Sequence, residues 1–303
     1  MRALVISGGG SKGAFAGGVA AHLMKVQHRN YDIFVGSSTG SLLLTHLAIG
    51  EIDKLHEVYT NVNQKSIFSL NPFKIKKKDK REYVSINYLN TILQFIKKRR
   101  TFGESKNLRK LISRKITKED FLKAKNTNKD IVVTVSNLTK NNIEYKSIKD
   151  FNYEEFCDWI WISCNYIPFM SLVKKNDFEY ADGGFGSMVP IREAIRRGAT
   201  EVDAIILESE NMEHNKVLGK NPFSLMVNLF GFVLDQVERS NIIEGKLAAS
   251  NKNVLLNLYY TPSQLTENSL IFDKKLMKIW WDQGFKYAND KAINVKENEL
   301  KDR

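Results

Sequence analysis

Apolar positions near the start of the chain fall into blocks that switch between strand-like and helix-like spacing. Ala3-Leu4-Val5-Ile6 is a continuous apolar run of strand length, and it stops at Gly8-Gly9-Gly10. Helical spacing follows from about Ala14 to Val26. Tyr31 to Val35 predicts a second strand. Ser41 to Ile49 is apolar on nearly every face and predicts a buried helix. Strand, helix, strand and helix in this order imply parallel pairing and an α/β architecture.

Farther along, Asp130 to Ser136 is a β-branched strand, and Asn141-Asn142 predicts a hairpin with Ile143 to Ile148. Asn152 and Glu155 have the spacing of a capping box ahead of Trp159, Trp161 and Ile162. Pro168 is expected to end that helix. Phe178 to Ala181, Glu201 to Leu207 and Asn253 to Tyr259 are strand candidates, with helices near 190–197, 222–249 and 273–289. Within the second of these, the apolar run from Pro222 to Leu234 is expected as a core helix rather than an interfacial one. No internal repeat or low-complexity linker breaks the chain. The expected organisation is a catalytic domain over 1–210 with an insertion at about 74–129, and residues 211–303 completing the same domain.

Composition adds the insertion's character. The chain has 303 residues, is 43% hydrophobic and carries a formal net charge of +12, so it can bury a full core. Residues 74–129 hold 19 Lys+Arg and 5 Asp+Glu, or +14, which leaves 27 basic and 29 acidic groups, or −2, for the rest. One segment carries all of the excess. It suits a solvated insertion, or a surface for polyanions such as anionic lipid or nucleic acid. Single-strand binding wants interleaved stacking aromatics. Tyr83, Tyr88, Phe95, Phe102 and Phe121 are present, but their helical spacing suits a core better. Cys157 and Cys164 are too few for a disulfide scaffold and suggest a reducing compartment. No eighteen-residue apolar window occurs, and the N-terminal apolar run is too short for a signal peptide. A cytoplasmic or peripheral-membrane protein is expected.

Two glycine motifs carry the candidate chemistry. Gly8-Gly9-Gly10-Ser11-Lys12-Gly13 fits G-x-G-x-x-G between a strand and a helix. A dinucleotide site would want an acidic residue at the carboxyl end of the second strand, and Asp32 sits at the wrong end. No Lys-Ser or Lys-Thr follows Gly13, so a P-loop is not formed. What remains is a nest of backbone N–H groups suited to a negative charge, including a developing oxyanion. Gly36-Ser37-Ser38-Thr39-Gly40 matches G-x-S-x-G between a strand and an apolar helix, the setting of a nucleophile elbow, with Ser38 at its centre. A serine needs a base. His22, His28, His46 and His56 fall in early helical segments, where core or surface roles are expected, and His214 alone has the order of a Ser…Asp…His esterase. The other candidate is Asp182, in Asp182-Gly183-Gly184, whose carboxylate would be a useful base if burial raised its pKa.

Taken in order, these motifs resemble the patatin-like phospholipase family. The first loop is similar to its oxyanion-hole loop, Gly36 to Gly40 to its elbow, and Asp182-Gly183-Gly184 to its aspartate motif. Ser163-Cys164-Asn165-Tyr166-Ile167-Pro168 is similar to the stretch before the aspartate strand. The resemblance implies a mostly parallel central sheet flanked by helices on both faces, with the basic, mainly helical insertion added. It implies lipid acyl hydrolysis by a Ser38–Asp182 dyad through an acyl-enzyme, with Gly8, Gly9 and Gly10 as the oxyanion hole. Lys12, Gly13, Gly36, Gly40, Gly183 and Gly184 would support the motifs, Lys12 either orienting its loop, meeting a phosphate or remaining solvated. No metal and no cofactor is implied. The expected partners are a phospholipid or other lipid ester and, transiently, an anionic membrane surface, with nucleic acid disfavoured.

Overall fold

The computed structural model describes residues 1–78, 81–210 and 222–301. β1 (Arg2–Ile6) turns through a short 3₁₀ segment into α1 (Gly13–Lys25). β2 (Ile33–Ser37) runs into α2 (Thr39–Ala48), followed by α3 (Ile52–Asn61) and the single turn α4 (Gln64–Ile67). The basic insertion comprises an antiparallel hairpin, β3 (Phe73–Lys78) and β4 (Arg81–Ile86), then α5 (Tyr88–Ile96), α6 (Lys106–Lys115) and α7 (Lys118–Lys125). β5 (Asp130–Asn137) and β6 (Asn142–Ser147) form the expected hairpin and lead to α8 (Tyr153–Ser163), with the capping box of Asn152 and Glu155 in place. β7 (Val173–Lys175), β8 (Phe178–Asp182), α9 (Ile191–Arg196) and β9 (Glu201–Ser209) follow. The chain continues with α10 (Pro222–Asn251), β10 (Leu255–Thr261) and α11 (Lys274–Lys301).

Among the described residues the main sheet has eight strands in the order β10-β9-β1-β2-β5-β8-β7, with β6 paired to β5. The five strands from β10 to β5 are parallel, and β6, β7 and β8 join antiparallel. Alternate residues of the parallel strands supply two cores. Leu4, Ile6, Phe34, Ile131 and Val133 pack with α1, α2 and α8 on one face. Ala3, Val5, Ile33, Val35 and Val132 pack with α9 and the end of α10 on the other. Both faces being covered explains why these strands read as unbroken apolar runs.

The structure adds one element to the sequence reading and departs from it in two places. The added element is the hairpin that opens the mainly helical insertion, where Phe73-Lys74-Ile75-Lys76 alternates as a strand does. The first half of α10 does not lie in the core, since Leu225, Leu229, Phe232 and Val233 are exposed. Tyr88 and Phe95 are likewise exposed, although Phe121 is buried as expected.

Candidate active site

Ser38 sits where β2 meets α2. It is the N-cap of α2 and holds φ 50° and ψ −123°, a conformation that a non-glycine residue adopts only under constraint. The constraint is closeness. A Cβ on Gly40 would stand 2.2 Å from the Ile6 carbonyl oxygen, and one on Gly36 2.6 Å from the Gly40 carbonyl carbon. Gly40 therefore lets the start of α2 close against β1 and Gly36 lets the turn close on itself, which lifts Ser38 onto the positive end of α2.

Asp182 ends β8, two positions from β2 in the sheet. The sheet order thus brings it to Ser38, whose Oγ donates to Asp182 Oδ2 at 2.6 Å. The Gly184 N–H donates to the other oxygen, Oδ1, at 2.8 Å. Asp182 is only 3% exposed. Burial pushes its pKa from the ordinary 3.8 up to about 7, with the two donors pulling the other way.

The first loop lies beside this pair. Gly8 donates its N–H to the Met188 carbonyl at 3.2 Å, and Ser11 donates to that of Ser269 at 2.8 Å. Among the described residues, no acceptor engages the amides of Gly9 and Gly10, and Gly10 holds φ 56°. Of the three glycines named from sequence, Gly8 is thus already spent on structure. Lys12 is buried and ion-paired with Glu208, so its solvated reading does not hold. Gly13 begins α1, and Gly183 and Gly184 form a 3₁₀ turn after Asp182.

Ser38, Asp182, Lys12 and the three glycines Gly8, Gly9 and Gly10 line one cavity of about 860 Å³. Its apolar lining includes Leu42, Ile67, Phe73, Leu108, Phe169 and Met170. Glu208, from β9, and Glu238, from α10, contribute carboxyl groups. Glu238 is buried, and burial, with Glu208 nearby, raises its pKa to about 8. No histidine lines the cavity among the described residues. His46 is buried against the Lys115 carbonyl, His22 packs edge-on against Phe285, and His56 on Trp281. His214 lies outside the described residues.

The sequence reading did not identify what holds the pair in place. The Ser38 N–H donates to Ser163 Oγ at 3.0 Å, and Cys164 Sγ–H donates to the Ser38 carbonyl at 3.1 Å. The Asp182 N–H donates to the Asn165 carbonyl at 3.0 Å. Three consecutive residues at the end of α8 therefore fasten both. Ser105, at the start of α6, donates its hydroxyl to Asn165 Oδ1 and accepts from Trp161 Nε1 at 3.1 Å, which ties the insertion to the same bracket. Tyr166 lines the cavity and is stacked on Phe169 and Phe185. The signal in the sequence was the motif Ser163 to Pro168, but its bonding partners lie far away along the chain.

No group of three or more His, Cys, Asp and Glu suited to a metal occurs among the described residues. Among them, too, no helix is long and apolar enough to cross a membrane. Against known proteins, the family model described as Patatin-like phospholipase matches residues 4–195. The crystal structure of VipD from Legionella pneumophila is similar over 95% of this chain and 67% of its own, at a TM-score of 0.48 and 14% identity. No curated protein matches the sequence.

Proposed function

The chain belongs to the patatin-like phospholipase family, whose members hydrolyse lipid esters, and from that premise we propose a phospholipase A-type acyl hydrolase working through Ser38 and Asp182. The observation that carries the finer reading is the 2.6 Å hydrogen bond from Ser38 Oγ to a carboxylate raised to about 7. A base is most effective when its pKa lies near the working pH. A carboxylate at 3.8 would hardly take a serine proton, whereas one near 7 both accepts it and returns it.

In this mechanism Ser38 Oγ attacks the ester carbonyl carbon while its proton passes to Asp182 Oδ2. The amides of Gly9 and Gly10 receive the oxyanion. The tetrahedral adduct collapses, the C–O bond to the alcohol breaks, and Asp182 protonates the departing oxygen. Water then attacks the acyl-Ser38 ester, giving a proton to Asp182; the second tetrahedral adduct collapses, the acyl–Oγ bond breaks, Asp182 returns that proton to Ser38 Oγ, and the carboxylic acid leaves. The cavity's apolar lining suits an acyl chain. Its substrates pack at a lipid–water interface, so the protein works as a peripheral visitor to membranes.

The test is a fluorophosphonate probe, which bonds covalently to an activated serine. Wild-type protein should label, and Ser38→Ala should not. Labelling that persists in the variant would remove Ser38 from the mechanism.

A further inference from the structure

Helix α5 is inside out. Its polar residues face the protein: Gln94 is 1% exposed and reaches toward the Gly103 carbonyl, Thr91 is buried, and Asn90 Nδ2 donates to the Asn71 carbonyl at 2.8 Å. Its apolar residues face outward, with Leu89 75% exposed, Ile96 71% exposed, and Tyr88, Ile92, Leu93 and Phe95 beside them. A helix that packs on a water-soluble body shows the reverse arrangement. Six large apolar side chains on one short helix form a patch that asks for cover.

The surroundings say what kind. Lys97 and Lys98 are exposed at the end of the helix, and Lys74 is exposed on the hairpin to which the helix start is tied through Asn87 N–H and the Pro72 carbonyl at 2.7 Å. An apolar face rimmed by cations matches the layering of an anionic bilayer, headgroups outside and acyl chains within. The patch is also joined to the cavity. Phe95 meets Phe102 edge-on with centroids 6.2 Å apart, and Phe102 meets Phe169 at 5.9 Å. Phe169 stacks on Phe73 at 5.4 Å and on Tyr166 at 5.9 Å, and all three line the cavity that holds Ser38. Across the cavity's lining, Phe232 of α10 is exposed, with Leu229 and Leu225 on the same helical face.

We infer that α5 lies in the interface of an anionic lipid bilayer, its apolar face among the acyl chains, with the aromatic cluster from Phe95 to Phe169 packed between that face and the cavity that holds Ser38. This rests on the lipid-hydrolase reading and adds to it the element that meets the lipid.

Full-length protein is sedimented with vesicles of equal parts phosphatidylglycerol and phosphatidylcholine, and turnover of a soluble short-chain ester is measured in parallel. Leu89→Ser, Ile92→Ser and Ile96→Ser combined should weaken vesicle binding about tenfold or more while leaving soluble-ester turnover unchanged. Lys97→Glu with Lys98→Glu should weaken it less and flatten its salt dependence. Vesicle binding equal to wild type in the triple variant would overturn the inference. So would a wild-type dimer in solution that the triple variant breaks, with no vesicle binding by either, since a second copy would then be the cover. Failure of wild-type protein on soluble ester, with vesicle binding still dependent on α5, would sink the hydrolase reading and leave the docking face standing.

Discussion

Asp182→Asn should abolish ester hydrolysis and yet make the protein harder to unfold at alkaline pH. The folded state holds the carboxyl at about 7 against an ordinary 3.8. Each pKa unit corresponds to about 1.4 kcal/mol, so ionising Asp182 in the folded protein costs about 4 kcal/mol relative to the unfolded chain. The sign follows from which state binds the proton. Below about pH 4 both states are protonated and nothing is lost. Between about pH 4 and 7 the unfolded chain ionises while the folded one does not, and stability falls with each step. Above about pH 7 both are ionised and the deficit levels off. Asparagine keeps the geometry, since its oxygen accepts from Gly184 and its amide meets Ser38 Oγ, but it never ionises. Urea unfolding of the two proteins, followed by tryptophan fluorescence, should therefore coincide near pH 4. By about pH 8 they should separate by up to about 4 kcal/mol in favour of the inactive variant. The same ionisation should make the wild-type kcat/KM climb with pH up to about 7 and then flatten. A stability difference that does not change with pH would refute the buried, proton-holding carboxyl. A variant less stable than wild type at every pH would do the same.

Two further substitutions probe the neighbours. Ser163→Ala leaves the Ser38 N–H without its acceptor and should cost about 1–3 kcal/mol in unfolding free energy, with kcat on a soluble ester falling more than KM rises. Unchanged kcat would mean the elbow holds its shape unaided. Gly10→Ala puts a Cβ 2.2 Å from the Ser269 carbonyl oxygen at a left-handed residue, so the loop must move, and kcat should fall roughly 10²-fold if its amides hold the oxyanion. A loss of only a few fold would shift that role to other donors.

The elements around the site were legible because their chemistry is local. Glycines at 36 and 40 announce a sharp turn whatever surrounds them, and Val132 to Val135 announces a strand buried on both faces. Asp182 was legible for the same reason, through the two glycines that follow it. What periodicity could not supply was the identity of the facing surface. Leu89, Ile92 and Ile96 have helical spacing, and so do Leu225, Leu229 and Phe232, but spacing marks a stripe without saying whether protein or solvent lies against it. In α5 the polar side took the protein because the Asn71 and Gly103 carbonyls stood there to be satisfied. The β3–β4 hairpin was hidden by its own lysines, which read as charge before they read as alternation. Ser163, Cys164 and Asn165 owe their roles to partners on β2 and β8, a pairing that only the sheet order creates.

That short bracket has a consequence for how the enzyme tolerates change. Ser38 and Asp182 arrive on different strands, separated in the sheet by β5, so their spacing could drift whenever the sheet's twist does. Both are instead referenced to one peptide segment, as a machinist measures two holes from a single datum so that errors do not add. Substitutions that reshape the cavity walls, or breathing of the sheet's outer strands, then carry the two groups along together. The cavity walls can thus be reshaped widely while the separation of Ser38 and Asp182 stays put.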